Sequence, residues 1–358
     1  MTTAFSPSEL RGVLADGLDD TAIADHDGFP AVVIDLTEPY DRADLHRVAR
    51  LLAPMPVVSI GISSSGPVDD LGADVLDLLL CAGSSESSGW IACGDVLDRR
   101  VDSFCDVIAD APDAAIALAQ LLRVGESSGV VDAVVAESWV YSLLQSGTRY
   151  AQWLTGRSDR TPRPRPEGSV VDVDRQGDRL SITLNRPEVH NAYGRRMRDE
   201  LVDAFRFAGL DPTLTSIVLR GNGPSFCSGG DLDEFGTAPS PVESHAVRTN
   251  RNAGIALAAI ADRVEVHVHG SCVGAGVELP AFASRVIAHS RTTFLLPEVA
   301  MGLVPGAGGT ASIPRRIGRH RTMGLALFPD GIDAPRALAW GLIDAIDDEM
   351  VAINHVPH

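Results

Sequence analysis

Residues His269–Leu279 read HGSCVGAGVEL, and the fold is decided by how this stretch is read. The segment leading into it, VEVHVHG (Val264–Gly270), alternates apolar and polar residues as a strand does. Small residues then turn the chain, and a helix begins with Glu278 in its first turn. An acid there is favoured by the helix dipole by ~0.3–1 kcal/mol. A strand that ends in a glycine-rich turn before a helix can also present backbone N–H groups to a ligand.

The same grammar extends outward on both sides. TSIVLRG (Thr215–Gly221) reads as a buried strand, and PSFCSGGDLDEF (Pro224–Phe235) follows it as a second glycine turn closed by an acid. Downstream, FLLPEVAMGLVPGAGGT (Phe294–Thr310) places Glu298 after a proline, in an apolar run, ahead of another glycine cluster. If Glu298 is buried among Leu295, Leu296, Val299 and Met301, desolvation raises its pKa, which suits a general acid or base. Val170–Leu184 reads as strand, turn, strand. Helices are expected over Arg195–Phe207, over VELPAFASRV after the SCVGAG turn, and from IPRRIGRHRTMGLALF onward. Strands alternating with helices predict a layered α/β fold with parallel strands.

The first part of the chain has a different character. A short helix is expected around Ser6–Asp16. AVVIDL (Ala31–Leu36), a helix over Ala43–Leu52 capped by Asp41, and VVSIGIS (Val57–Ser63) make a β-α-β unit. Ala115–Arg123 and Val131–Leu154 read as helices. The apolar stripe of the second is too long for one small core and predicts packing against another domain or subunit. The serine cluster Ser84–Gly89 is a polar loop. Between the parts, Gly156–Gly168 reads GRSDRTPRPRPEG, an extended Pro/Arg linker. The expected organisation is an N-terminal α/β and helical region over 1–155, a linker over 156–168 and a catalytic core over 169–358.

Composition narrows the functions. The chain has 358 residues, enough for roughly two domains. Its net charge of -18 disfavours nucleic acid or an anionic membrane surface as the partner. All 30 basic residues are arginine, which excludes a Schiff-base lysine and a Walker-A loop. No stretch reaches the ~18 apolar residues that a membrane helix needs. The N-terminal segment does not read as a signal peptide. Five cysteines show no zinc or disulfide spacing, so a reducing cytoplasm is expected. Two N–H-bearing turns and two carboxylates twenty residues apart are the parts that enolate chemistry needs.

At this point the chain resembles the enoyl-CoA hydratase/isomerase (crotonase) superfamily. The resemblance is carried by NRPEVHNAYGRRMRDEL, SIVLRGNGPSFCSGGDLDEF, HGSCVGAGVEL, FLLPEVAMGLVPGAGGTASIPRRIG and GLIDAI, in the family's order over about half the chain. It implies a repeated ββα spiral core and an acyl-CoA substrate, with coenzyme A arriving as part of the substrate and no separate cofactor or metal. It implies oxyanion-hole N–H groups on Gly230 and Ala275, the latter a glycine in many relatives. Glu278 matches the glutamate that activates water, and Glu298 the one that exchanges the α-proton. Asn191, Ala192, Gly229 and Asp231 fall where the family's loops meet coenzyme A. The expected enzyme is a hydratase that adds water to a 2-enoyl-CoA. The alternatives are an isomerase or a thioester or ring-opening hydrolase of the same fold, or a non-catalytic partner subunit. A homo-oligomer, trimer or hexamer, is implied by the family.

Relatives usually continue past the GLID-type segment into C-terminal helices that close the site, whereas this sequence ends soon after it. Ala136–Leu154 is similar to those helices. The expectation is that residues around 110–155 replace them, as in a circular permutation, and that the upstream β-α-β unit is a degenerate crotonase-like piece. Arg195, Arg196, Arg315 and Arg316 are candidates for the coenzyme A phosphates. His267, His269 and Glu265 share a strand face, yet no third ligand is evident and structural histidines are expected. Cys227 and Cys272, beside the two turns, are expected to pack rather than react.

Overall fold

Short runs of β-branched and leucine residues, each closed by a polar or glycine turn, lay down three sheets. A computed structural model describes residues 3–15, 30–69, 72–84, 89–157 and 168–349. Most of the Pro/Arg linker and the middle of the serine cluster lie outside the described residues. In the first sheet β1 (Ala4–Phe5), β2 (Ala31–Asp35), β3 (Val58–Ser63), β4 (Leu78–Cys81) and β5 (Ile91–Ala92) are parallel neighbours in chain order. Helices α1 (Pro7–Ala15) and α2 (Arg42–Leu52) belong to this half, and Asp41 caps α2 by accepting the Ala43 N–H at 2.8 Å.

Four helices follow: α3 (Leu97–Asp110), α4 (Pro112–Gly125), α5 (Val130–Leu144) and α6 (Thr148–Thr155). The sequence predicts one helix over Val131–Leu154, but the chain breaks at Gln145–Gly147. Gly147 is extended and caps α6, because glycine is a poor helix-interior residue and a good one at a break.

The second half repeats the sheet logic. An antiparallel hairpin of β6 (Val171–Gln176) and β7 (Arg179–Leu184) leads, after α7 (Arg195–Leu210), to the parallel series β8 (Ser216–Gly221), β9 (Val264–Val268), β11 (Arg285–Ala288) and β14 (Ala345–Ile346). A smaller sheet of β10 (Ser271–Val273), β12 (Thr293–Leu295) and β13 (Ile332–Asp333) alternates with it along the chain. Helices α8 (Pro241–Asn250), α9 (Ala253–Ala258), α10 (Ala275–Glu278), α11 (Gly309–Leu327) and α12 (Ala334–Trp340) complete the half. Within each sheet every new strand lies beside the one before it, and in the second half the chain winds between the two sheets as it advances. The expected helix over VELPAFASRV is cut to one turn. Pro280 opens a 3-10 turn, and the β-branched Val286 and Ile287 join the sheet instead.

The halves share one hydrophobic core, which runs from Val33 and Ile60 to Trp340 and Ile343. Helix α11 forms the joint and is buried along most of its length. Gly324 brings it against the first sheet, where a Cβ would lie 2.2 Å from Ile91 Cδ1. Phe328, just after it, meets Phe104 of α3 edge-on at 5.1 Å. Arg319 reaches back to the Leu76 carbonyl at 2.6 Å and to the Asp74 carbonyl. Among the described residues no helix is long and apolar enough to cross a membrane.

Candidate active site

Both glycine turns leave an N–H available. A parallel bridge joins Tyr193 to Gly230, and its two hydrogen bonds run from Tyr193 N to Gly229 O at 2.7 Å and from Asp231 N to Tyr193 O at 3.0 Å. The atoms flanking Gly230 are therefore used, and Gly230's own N–H faces the other way. At the second turn the N–H groups of Val277 and Glu278 both donate to Gly274 O, at 2.7 and 3.0 Å. The N–H of Ala275, first residue of α10, is left without a helical acceptor. Gly230 and Ala275 line one cavity of about 490 Å³.

Glu278 and Glu298 line the same cavity. Glu278 Oε2 accepts the N–H groups of Ala307 at 2.7 Å and Gly309 at 2.8 Å. Burial still pushes its pKa up to about 7. Glu298 is raised well above the usual carboxylate range by burial and then by the nearby Glu278, and its Oε2 is buried without a hydrogen bond. Close packing fixes both side chains. A Cβ on Gly274, at φ 49°, would lie 2.4 Å from Glu298 Oε1, and one on Gly309 would lie 2.5 Å from Glu278 Cγ.

The N-terminal half builds part of the cavity wall. Tyr141 and Gln145, from and just after α5, and Tyr150 of α6 line it. Glu137, also on α5, is buried and carries a pKa raised to about 8 by desolvation and then by the charge of Glu278. Its carboxylate accepts Gly308 N at 2.8 Å, Thr310 N at 2.9 Å and Thr310 Oγ1 at 2.7 Å. Arg149 donates to Ala300 O, and Trp153 meets the Phe235 ring edge-on at 5.4 Å. The Phe235 ring in turn packs on Gly230. The segment expected to stand in for terminal helices thus lies against the core around Glu298. Sequence reading did not single out Glu137, Tyr141 or Arg248. For Glu137 and Tyr141 the signal was the long apolar stripe and its likeness to the family's terminal helices; nothing in the sequence pointed to Arg248.

Other expected residues are spent on structure. Asn191 is fully buried; its Oδ1 accepts Arg186 N, and its Nδ2 donates to the carbonyls of Asn222 and Ser225. Asp231 lines the cavity, but its carboxylate pairs with Arg186 Nη1 at 2.8 Å. Ala192 is buried and Gly229 O holds Tyr193, so this segment can meet a ligand chiefly through its backbone. Of the four arginine candidates, Arg195 lines the cavity. Arg196 pairs with Glu200, Arg315 donates to Ser128 O, and Arg316 pairs with Asp344. His267 pairs with Glu265 at 2.6 Å, and His269 bonds the Gly223 carbonyl at 2.8 Å. Cys227 and Cys272 are buried, and burial pushes the Cys227 thiol up to about 12, away from the reactive thiolate.

Residues 175–356 match the model of the enoyl-CoA hydratase/isomerase family. The chain belongs to that family. It is similar to 1,2-epoxyphenylacetyl-CoA isomerase of Escherichia coli K12, at 35% identity over 178 residues covering 48% of this chain and 68% of that one. It is also similar to 2,3-dehydroadipyl-CoA hydratase of the same organism, at 32% identity over 178 residues covering 50% of this chain and 69% of that one. A solved enoyl-CoA hydratase from Mycobacterium smegmatis aligns with a TM-score of 0.46 and 27% identity, over 50% of this chain and 70% of that one. The family match lies in the second half of the chain.

Proposed function

We propose that this crotonase-family protein adds water to a 2-enoyl-CoA thioester. The observation that carries the reading is one cavity lined by the buried Glu278, by Glu298 with its buried Oε2, and by two turns with available N–H groups. The N–H groups of Gly230 and Ala275 would hold the thioester oxygen as it gains negative charge. Glu278, with its pKa near neutrality, would take a proton from water as the oxygen bonds to the β-carbon. Glu298, held neutral by burial, would deliver a proton to the α-carbon and collapse the enolate. Burial raises both carboxyls, and the neighbouring charge of Glu278 raises Glu298 further, which suits a carboxyl that has to carry a proton to carbon.

Loss of the conjugated enoyl absorbance, followed for short, long and aromatic 2-enoyl-CoAs, tests this with wild type, Glu278→Gln and Glu298→Gln side by side. Hydration lost in both variants, by roughly 10²–10⁴-fold, supports the two-glutamate reaction. Double-bond migration that survives in Glu278→Gln but not in Glu298→Gln would make the protein an isomerase. Neither turnover nor acyl-CoA binding would favour a partner-subunit role. The same reading takes the protein to be a homo-oligomer. Trp139 and Leu143, exposed and one turn apart on α5, are candidates for a subunit contact, and light scattering would test it.

A further inference from the structure

Arg248 is a cation lining the cavity that no carboxylate pairs with among the described residues. Four arginines line the cavity: Arg195, Arg198, Arg248 and Arg251. Arg198 pairs with Asp199 at 2.8 Å, and Arg251 pairs with Asp199 and Asp203 at 3.0 and 2.6 Å. The backbone of Arg195 is held by Glu234, and its side chain is exposed to water. Arg248 is half-buried, and among the described residues no carboxylate pairs with it. Neutral groups hold it instead. Its Nε donates to Ser138 Oγ at 3.2 Å, and its Nη2 donates to Ser138 O at 3.2 Å and Ser142 Oγ at 2.5 Å. Its guanidinium carbon stands 4.4 Å from the Tyr141 ring centroid. These contacts fix Arg248 through Nε and Nη2 and leave Nη1 without a hydrogen bond among the described residues.

Burying a guanidinium costs free energy that neutral oxygens offset only in part. Burial accordingly pulls Arg248 below the usual guanidinium range. The carboxylate whose field reaches it is Glu137, which is already committed to the N–H groups of Gly308 and Thr310. Arg248 lines the same cavity as Tyr141, Glu278 and Glu298, so a group bound at the two carboxyls shares its space.

We propose that Arg248 binds a carboxylate at the far end of the acyl group, so that the substrate is a CoA thioester of an unsaturated dicarboxylic acid. The inference rests on the acyl-CoA reading above and names its substrate class. A planar guanidinium with a free amino edge suits a carboxylate, and a ligand anion would supply the missing partner. A phosphate of coenzyme A is the competing anion. A half-buried position beside Tyr141 suits the acyl end better than a phosphate, which needs water around its remaining charge.

The test compares three 2-enoyl-CoAs of matched length, ending in a carboxylate, in its methyl ester and in a methyl group. Wild type is expected to favour the carboxylate by roughly tenfold or more in kcat/KM, as a charge-assisted bond allows. Arg248→Gln is expected to bring that ratio to about one, with thermal unfolding used to show that the variant folds. If the variant does not fold, the wild-type ratio decides by itself. A wild-type ratio near one, with the methyl-ended chain hydrated, overturns this inference and leaves the hydratase reading standing. An equal loss on all three substrates in Arg248→Gln also overturns it, because the arginine would then serve coenzyme A or clamp α8 to α5. Failure of all three to bind or react overturns the hydratase reading, and this inference with it.

Discussion

Glu137 and Glu278 grip one loop by alternate N–H groups. Glu278 accepts those of Ala307 and Gly309, and Glu137 accepts those of Gly308 and Thr310. The residues lie in different halves of the chain, so the entry to α11 is held between a carboxylate of the site and one of the first half. Burial raises both pKa values, and the charge of Glu278 raises that of Glu137 further.

Removing Glu137 should therefore cost stability as well as order at the loop. Glu137→Ala leaves two buried N–H groups and a hydroxyl unpaired, and about 1–3 kcal/mol is expected for each such loss before relaxation. Urea unfolding of the variant beside wild type measures it. An unchanged midpoint would mean that the loop is held without Glu137.

The stability of the protein should also fall as pH rises through this pair. Glu137 is raised from 4.5 to about 8, so the folded state holds a proton that the unfolded chain has lost. The associated stabilisation is complete below about 4.5 and is lost as pH climbs to about 8, at up to about 1.4 kcal/mol per pH unit. Glu137→Gln, which cannot titrate, should show a shallower decline over that window. Parallel curves for the two proteins would show that Glu137 does not titrate there.

The rate should rise with pH through about 7, where Glu278 ionises to act as base. It should fall again at higher pH, when Glu298 gives up the proton it must deliver. The kcat/KM profile of wild type on its preferred enoyl-CoA reads both limbs. A profile flat through neutrality would remove Glu278 from the role of base.

Gly274→Ala is a test of packing at the reacting centre. Its φ of 49° disfavours any side chain, and the added Cβ would meet Glu298 Oε1 at 2.4 Å. A displacement of the carboxyl by about 1 Å is enough to lower kcat by roughly 10²-fold. Single-turnover rates, measured together with binding of a saturated acyl-CoA, separate this from lost affinity. Full activity would mean that the turn tolerates alanine.

Residues 168–358 expressed alone should not form a stable domain. They would lack Glu137, the cavity wall of Tyr141 and Tyr150, and the sheet that covers α11. Circular dichroism and dye binding to exposed apolar surface should report a loosely packed chain, rescued by co-expression with residues 1–157. A cooperatively folding fragment would make the first half an appendage.

Local pattern made much of this protein legible. The alternation in VEVHV and SIVLR defined strands, and the glycine turns with their acids marked Glu278 and Glu298, while Gly230 and Ala275 were singled out by the family resemblance. These signals survive because strand, turn and helix start are set by nearest neighbours. Pattern erred where one residue outweighed a propensity, as at Gly147, which broke a helix, and Pro280, which shortened one. It carried no sign that the side chains of Asn191 and Asp231 are spent on Arg186 and the turn beside it.

What the sequence by itself determined is the alternation of strands with helices and the two carboxylate-bearing turns, since each such unit is encoded within some fifteen consecutive residues. What only the tertiary structure decided is the third carboxylate and the cavity arginine. Glu137 lies 171 positions before the N–H group of Gly308 that it accepts, and Arg248 lies 110 positions after Ser138. No local spacing records such pairings, because the free energy that fixes them comes from burying two distant segments against one core.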